Sequence, residues 1–266
     1  MRAPALALLV ALAAAGPALA AQDMLLGADM TSDKMTKAEM TRADIEGLIA
    51  GAGGKPIDLH DRSLSGLDLS GLDLRGANLR TARLNGTDLQ GADLGGANLQ
   101  QAWFLKANLS GAKLVGADMF GITARNANFS GADLSRAKPI GDFSGANLRG
   151  ATLTDLKGNA DMRNQSMGLM GTVFTGVNLE GATLKGAGLS HAKLDYANLK
   201  GADLSEANLT AADASGTDLS GAIITGASVK GMDVSGAKLL GIKGRDTARG
   251  WADLVNADRA IADTSR

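Results

Sequence analysis

Cysteine is absent from this chain. That excludes a disulfide framework, a thiolate nucleophile and a zinc-thiolate centre. Aromatic side chains are 3% of the residues, too few for a core that draws its buried area from large rings. Histidine occurs only at His60 and His191; no partner pattern joins them, so each reads as a surface residue rather than a general base. Neither sign of charge prevails: the formal net charge is -1, which gives no general attraction to nucleic acid, a membrane surface or any strongly charged partner. The one long apolar run, residues 3–15, is shorter than the roughly 20 residues that cross a bilayer.

That run lies between Met1-Arg2 and the breaker Gly16-Pro17, and Ala18-Leu19-Ala20 follows with a small-x-small pattern. This is the form of a secretory leader over residues 1–20, cleaved between Ala20 and Ala21. It leads to the expectation of a periplasmic or secreted protein with no stable membrane insertion after cleavage. In the N-terminal segment, residues 21–56, Thr36-Lys37-Ala38-Glu39 has the form of a capping box. Ala38, Ile45, Leu48, Ile49 and Ala52 then recur at helical spacing, which predicts a helix over residues 37–50. The stretch Gly51-Ala52-Gly53-Gly54-Lys55-Pro56 resembles a phosphate loop only superficially. Ile49 stands where its first glycine is needed and Pro56 where Ser or Thr is needed, so it reads as a linker. Met24, Met30, Met35 and Met40 form a candidate Cu(I) set, thioethers being soft ligands; the alternative use is the apolar side of the helix.

What the chain has in quantity is glycine, 36 residues, and most of it is periodic. From Leu59 through Leu64, Leu69 and Leu74 to Leu134 a large side chain falls at every fifth position, with Phe104, Met119, Ala124 and Phe129 as variants. Two positions earlier sit alanines such as Ala77, Ala82 and Ala92; two later, mostly glycines. On a helix successive leucines would step about 140° around the axis, and on a strand they would alternate faces. All can point inward only if the backbone turns a corner in each repeat, which makes an all-β solenoid. Burying one leucine yields about 1.5–3 kcal/mol, whereas ordering five backbone residues costs on the order of 5–10 kcal/mol. Ladder hydrogen bonds and stacking between coils must therefore supply the rest.

Gly76-Ala77-Asn78-Leu79, Gly91-Ala92-Asp93-Leu94, Gly131-Ala132-Asp133-Leu134 and Gly201-Ala202-Asp203-Leu204 resemble the pentapeptide-repeat family. The resemblance implies a right-handed quadrilateral β-helix with four repeats to a coil, here about nine coils and a rod on the order of 44 Å long. The repeat tract is expected over residues 57–244. Short α-helical caps are expected at both ends, the second over residues 245–266, where Asp246 can cap a helix carrying Trp251, Leu254, Val255 and Ile261. Leu134 to Phe143 is one residue short of two repeats and contains Pro139. Leu153 to Phe174 is one residue long and spans the irregular segment 154–173. The two departures cancel, which predicts one distorted coil of the same rod with Met162 or Met167 in leucine's place. The alternative is an excluded loop with Leu153 stacked beside Phe174.

For function, the Asp and Asn residues before the leucines read as repeat identity rather than paired catalytic carboxylates. Asn128-Phe129-Ser130 and Asn208-Leu209-Thr210 read as chance glycosylation patterns. No cofactor and no catalytic residue is expected. Trp103, Leu105, Val115 and Phe120 are large apolar residues at outward positions and form the candidate interaction surface. The leading expectation is an exported, non-enzymatic scaffold that binds another protein, without nucleic acid. The family resemblance supplies the alternative: some relatives imitate DNA, bind type II topoisomerases and protect them from quinolones, a role that calls for a cytoplasmic location and a strongly acidic surface. A periplasmic copper-binding protein using the N-terminal methionines is the third.

Overall fold

The computed structural model describes residues 29–160 and 171–263. Parallel bridges join Asp58 to Asn78, Ser63 to Arg83, Asp68 to Asp88 and Asp73 to Asp93, so each circuit of the chain makes four ladder contacts and has four faces. We name them faces one to four after Leu59, Leu64, Leu69 and Leu74. Corners are closed by turns in which the Ala77 N–H donates to the Leu74 carbonyl at 3.0 Å and the Ala82 N–H to that of Leu79 at 3.1 Å. The third residue of such a turn takes a left-handed backbone. Gly76 does so at φ 66 with no side chain to clash. Tyr196 does so at φ 59, a region about 1–2 kcal/mol unfavourable for a residue with a Cβ.

The polar residue before each leucine has a structural task that its identity alone does not reveal. Its Oδ1 accepts the N–H two residues on, as in Ser70 to Asp68 at 2.9 Å and Gly95 to Asp93 at 3.0 Å, an Asx turn that fixes the approach to the corner. Inside, the leucine and alanine columns form one continuous buried core. Thr87 and Thr217 replace alanine in that interior and are fully buried. Their hydroxyls donate to the carbonyls of Leu64 and Leu194 at 2.8 and 2.7 Å, so neither is an unsatisfied buried polar group.

Several expectations are corrected by this geometry. The first regular helix is α1 (Asp33–Thr36), and the main capping helix is α2 (Arg42–Gly51) rather than residues 37–50. Its capping box is Thr41 with Asp44, not Thr36 with Glu39. Glu39 instead lies 3.0 Å from Arg62, and its N–H donates to the Ser63 carbonyl at 2.9 Å. Arg42 donates to the carbonyls of Asp68 and Ser70, each at 3.1 Å. These bonds cover the open edge of the first coil on faces two and three, while Ile45, fully buried, plugs the end of its core.

No helix caps the other end over the described part of residues 245–266. Two 3-10 turns, Trp251–Asp253 and Ala257–Arg259, lie there instead, and the chain continues the ladder through the bridges Ser228 to Arg249 and Asp233 to Val255. Further strands are β1 (Ile122–Thr123), β2 (Gly141–Asp142) and β3 (Thr172–Val173), which form one parallel sheet, and β4 (Lys238–Leu239) and β5 (Ile261–Ala262), which form another. The solenoid thus runs past residue 244.

In the described residues on either side of the irregular segment, neither expected register is found. Pro139 is buried in the central column and the coil after it is shortened: Asn147 bonds to Asn128 nineteen residues back. The next coil is lengthened, Asn178 bonding to Asn147 thirty-one residues back. The shortfall and the excess therefore lie in separate coils and do not cancel. Phe174 stands over Phe143, and Leu153 stacks under Leu184, whose neighbour Thr183 accepts the Leu153 N–H at 2.7 Å. Regular stacking persists through Gly158, whose N–H reaches the Gly188 carbonyl at 2.9 Å, to Ala160, whose N–H reaches that of Ser190 at 3.2 Å. At the return, the buried Thr172 hydroxyl donates to the carbonyls of Pro139 and Gly158, both at 3.0 Å. Met162 and Met167 lie outside the described residues.

Candidate functional site

The repeat register distributes the outward side chains into columns. On face three, Asn108 donates to Asp88 at 2.9 Å, Asn128 to Asn108 at 3.1 Å, Asn147 to Asn128 at 3.0 Å, Asn178 to Asn147 at 3.4 Å and Asn198 to Asn178 at 3.2 Å. Each asparagine Oδ1 also accepts a backbone N–H two residues on, as Ser110 to Asn108 and Lys200 to Asn198. The result is an amide ladder anchored to the backbone at every rung, and it crosses both irregular coils without a break. Asn128 is one of those rungs, which gives its glycosylation-like pattern a structural reason.

The apolar candidates do not form one patch. Trp103 and Leu105 flank buried Phe104 on face two; Phe120 lies at the end of face one, across the corner; Val115 lies on face four, opposite. All four are half-buried rather than freely exposed. His60 is a surface residue whose Nδ1 lies 3.0 Å from Asp58 Oδ1, and His191 occupies a corner at φ 57. Met35 is buried, Met40 packs against the core and Met30 is half-buried; Met24 and the leader lie outside the described residues. Among the described residues no group of three or more His, Cys, Asp or Glu could hold a metal. A cleft of about 270 Å³ opens beside the linker, lined by Lys55, Ile57 and Leu74 and by Asp73 and Arg75, which already satisfy each other.

Several exposed carboxyls ionise more readily than usual. The Arg75 guanidinium, 2.6 and 2.8 Å from Asp73, holds that carboxyl at about 2. The Ser70 hydroxyl and N–H lower Asp68, and the His60 ring lowers Asp58. A carboxyl whose folded value is depressed contributes stability above its unfolded value of 3.8 and loses it as pH falls toward the folded one. Thermal melts followed by circular dichroism are therefore expected to be flat from about pH 8 to 5 and to decline gently below about pH 4. The decline is shallow because these groups are solvent-screened.

The fold and its surface define a solenoid whose outer side chains are organised as ladders. It belongs to the pentapeptide-repeat family: the family model, Pentapeptide repeats, matches eight copies at residues 63–101, 104–138, 172–210 and 202–239, together just over half of the chain. No curated protein matches it. Among solved structures, the chain is similar to trypsin-treated QnrB1, a plasmid-mediated fluoroquinolone resistance protein, at 18% identity and TM-score 0.42, covering 79% of this chain and 85% of that one. A pentapeptide repeat protein from the Arabidopsis thaliana thylakoid lumen is similar at 32% identity and TM-score 0.27, covering 46% and 71%. Another, from the cyanobacterium Cyanothece 51142, is similar at 23% identity and TM-score 0.28, covering 46% and 86%. The expectation of export is corrected here: the structures matched over 79% of the chain are those of the plasmid-mediated resistance protein, and on that finding the periplasmic or secreted placement is withdrawn. Among the described residues no helix is long and apolar enough to cross a membrane.

Proposed function

We propose that this chain is a non-enzymatic rod that binds another protein. The amide ladder from Asp88 to Asn198 carries the reading. Its side chains are held by backbone N–H groups and by one another before any partner arrives, so binding would order few of them and lose little conformational entropy. No metal or cofactor enters the proposal.

A second reading, that the partner is a type II topoisomerase, has two supports. With export withdrawn, compartment no longer counts against it. In addition, outward carboxylates such as Asp58, Asp68, Asp88, Asp93 and Asp133 stand on faces one, three and four of the first coils. Against close imitation of DNA, Arg42 pairs with Asp68, Arg75 with Asp73, Lys113 with Asp93 and Lys138 with Asp118. Gyrase supercoiling with a fluoroquinolone, with and without the purified protein, separates the readings. Relief of the drug assigns the topoisomerase. No effect, together with a cross-linked partner identified by mass spectrometry from the native cell, assigns the rod to that other protein. Failure of both to reveal a protein partner overturns the proposal.

A further inference from the structure

We infer that face two of the second to fourth coils is a docking strip for an acidic protein segment carrying an apolar anchor. The inference rests on the protein-binding reading above and names the surface and the chemistry of the partner. Within residues 77–136 the outward carboxylates all stand on faces one, three and four. Face two carries Arg83, Trp103, Leu105, Lys106 and Arg125 instead. Cations and large apolar groups occur on other faces too, as Arg80 and Phe120 on face one and Lys113 and Val115 on face four, but in this stretch face two alone combines them with no carboxylate, an arrangement that selects a partner of opposite charge and gives it an anchor.

The lower end of the same face already holds a segment of this kind, supplied by the chain itself. Residues 29–40 carry Asp29, Asp33 and Glu39 against Lys34 and Lys37, three acidic residues to two basic, together with Met30, Met35 and Met40; Lys37 pairs with Asp33 at 3.0 Å, which leaves Glu39 to the solenoid. Met35 is buried there, Glu39 reaches Arg62 at 3.0 Å, and the Ser63 hydroxyl donates to the Lys34 carbonyl at 2.9 Å. Asn85 links this contact to the open part of the face: its Nδ2 donates to the Met35 carbonyl at 3.1 Å, while its Oδ1 accepts the Leu105 N–H at 3.1 Å. The strip at Trp103 and Leu105 thus continues an interface whose chemistry is visible, a carboxylate on a cation beside a thioether in an apolar seat.

A nucleic acid fits less well. Arg62 and Arg125 are paired with Glu39 and Asp142, and only Arg83 and Lys106 on this strip pair with no carboxylate among the described residues. Two cations neutralise few phosphates, and the carboxylates on the flanking faces would repel a long polyanion.

The test uses fluorescence anisotropy with a short labelled peptide of Glu and Asp around a central Met-Phe pair, its Gln and Asn counterpart, and oligothymidylate. The acidic peptide is expected to bind the wild-type chain and its amide counterpart about tenfold more weakly. Trp103→Ser and Lys106→Glu are each expected to weaken the acidic peptide about tenfold, while Val115→Ser on face four leaves it unchanged. Lys106 is exposed at a corner, so its variant tests the strip even if Trp103→Ser folds poorly. No binding by the wild-type chain, binding by both face-two variants as tight as by the wild type, or tighter binding of oligothymidylate overturns the inference. A cross-linked cellular partner retained by both variants would sink the strip while leaving the wider protein-binding reading intact.

Discussion

Gly141→Ala is expected to destabilise the rod by about 3 kcal/mol, at the upper end of overpacking costs. The reason is distance rather than dihedral angle. A Cβ on Gly141 would lie 2.4 Å from the Ile122 carbonyl oxygen and 2.8 Å from both the Ile122 amide nitrogen and its Cγ2. Two of those three atoms are backbone and cannot swing away. The approach is close because the coil after Pro139 is one residue short, which draws β2 against β1 with Ile122 paired to Gly141. Gly131→Ala is the control. Gly131 has φ 65 but nothing within 4 Å of a built Cβ, so it is charged only the left-handed penalty of about 1–2 kcal/mol. Guanidinium denaturation of both variants, followed by circular dichroism, should show the larger loss at Gly141. Equal losses would mean that the shortened coil relaxes and that the ladder there is not tight.

That glycine marks the boundary of what the chain discloses as a string. The inward leucine and alanine columns, the corner glycines and the missing residue near Pro139 are all legible, because a five-residue period has one physical solution and any departure from it shows as a miscount. Where a departure is absorbed is not legible. Leu134 to Phe174 counts as whole coils, yet the shortened and lengthened coils are different ones, and the bonds that prove it join Asn128, Asn147 and Asn178 across them. The end caps are ambiguous in the sequence for a related reason. Thr36 and Thr41 both precede an acidic residue by three, and tertiary contacts decide between them: Glu39 serves Arg62 and the first ladder edge, leaving Thr41 and Asp44 to start α2. At the other end the apolar spacing of Trp251, Leu254 and Val255 suits a helix as well as a widened coil, and pairing of Val255 with Asp233 selects the coil.

The candidate surface shows the same division. Trp103, Leu105, Val115 and Phe120 all occupy outward positions, as their place in the repeat requires, but period alone does not say which share a face. Coil register does: it puts Val115 opposite Trp103 and brings Arg83 and Lys106 to the side of Leu105. The amide ladder was hidden in plain view, since Asn before Leu is ordinary repeat composition. Only the alignment of coils shows that Asn108, Asn128, Asn147, Asn178 and Asn198 fall in one column.

The largest single loss of stability is expected from Phe143→Ala, about 3–5 kcal/mol. Phe143 is fully buried, with its ring centroid 5.8 Å from that of Phe129 and 5.4 Å from that of Phe174 in an edge-to-face arrangement. Its column runs from Phe104 through Ala124 to Phe143 and Phe174, so a small residue already lies on one side and a second truncation would leave two alanines in succession. A narrow coil closed by ladder hydrogen bonds cannot collapse onto such a gap, because inward movement of one face would break register on the others. The cavity term should therefore be nearly complete rather than partly relieved by relaxation. Phe143→Leu is expected to recover most of the loss. If Phe143→Ala cost less than about 2 kcal/mol in guanidinium denaturation, below the range for a truncated buried ring, the coils would have to be more deformable than the ladder implies. The long coil from Phe143 to Phe174 would then be held by backbone bonds rather than by the ring stack.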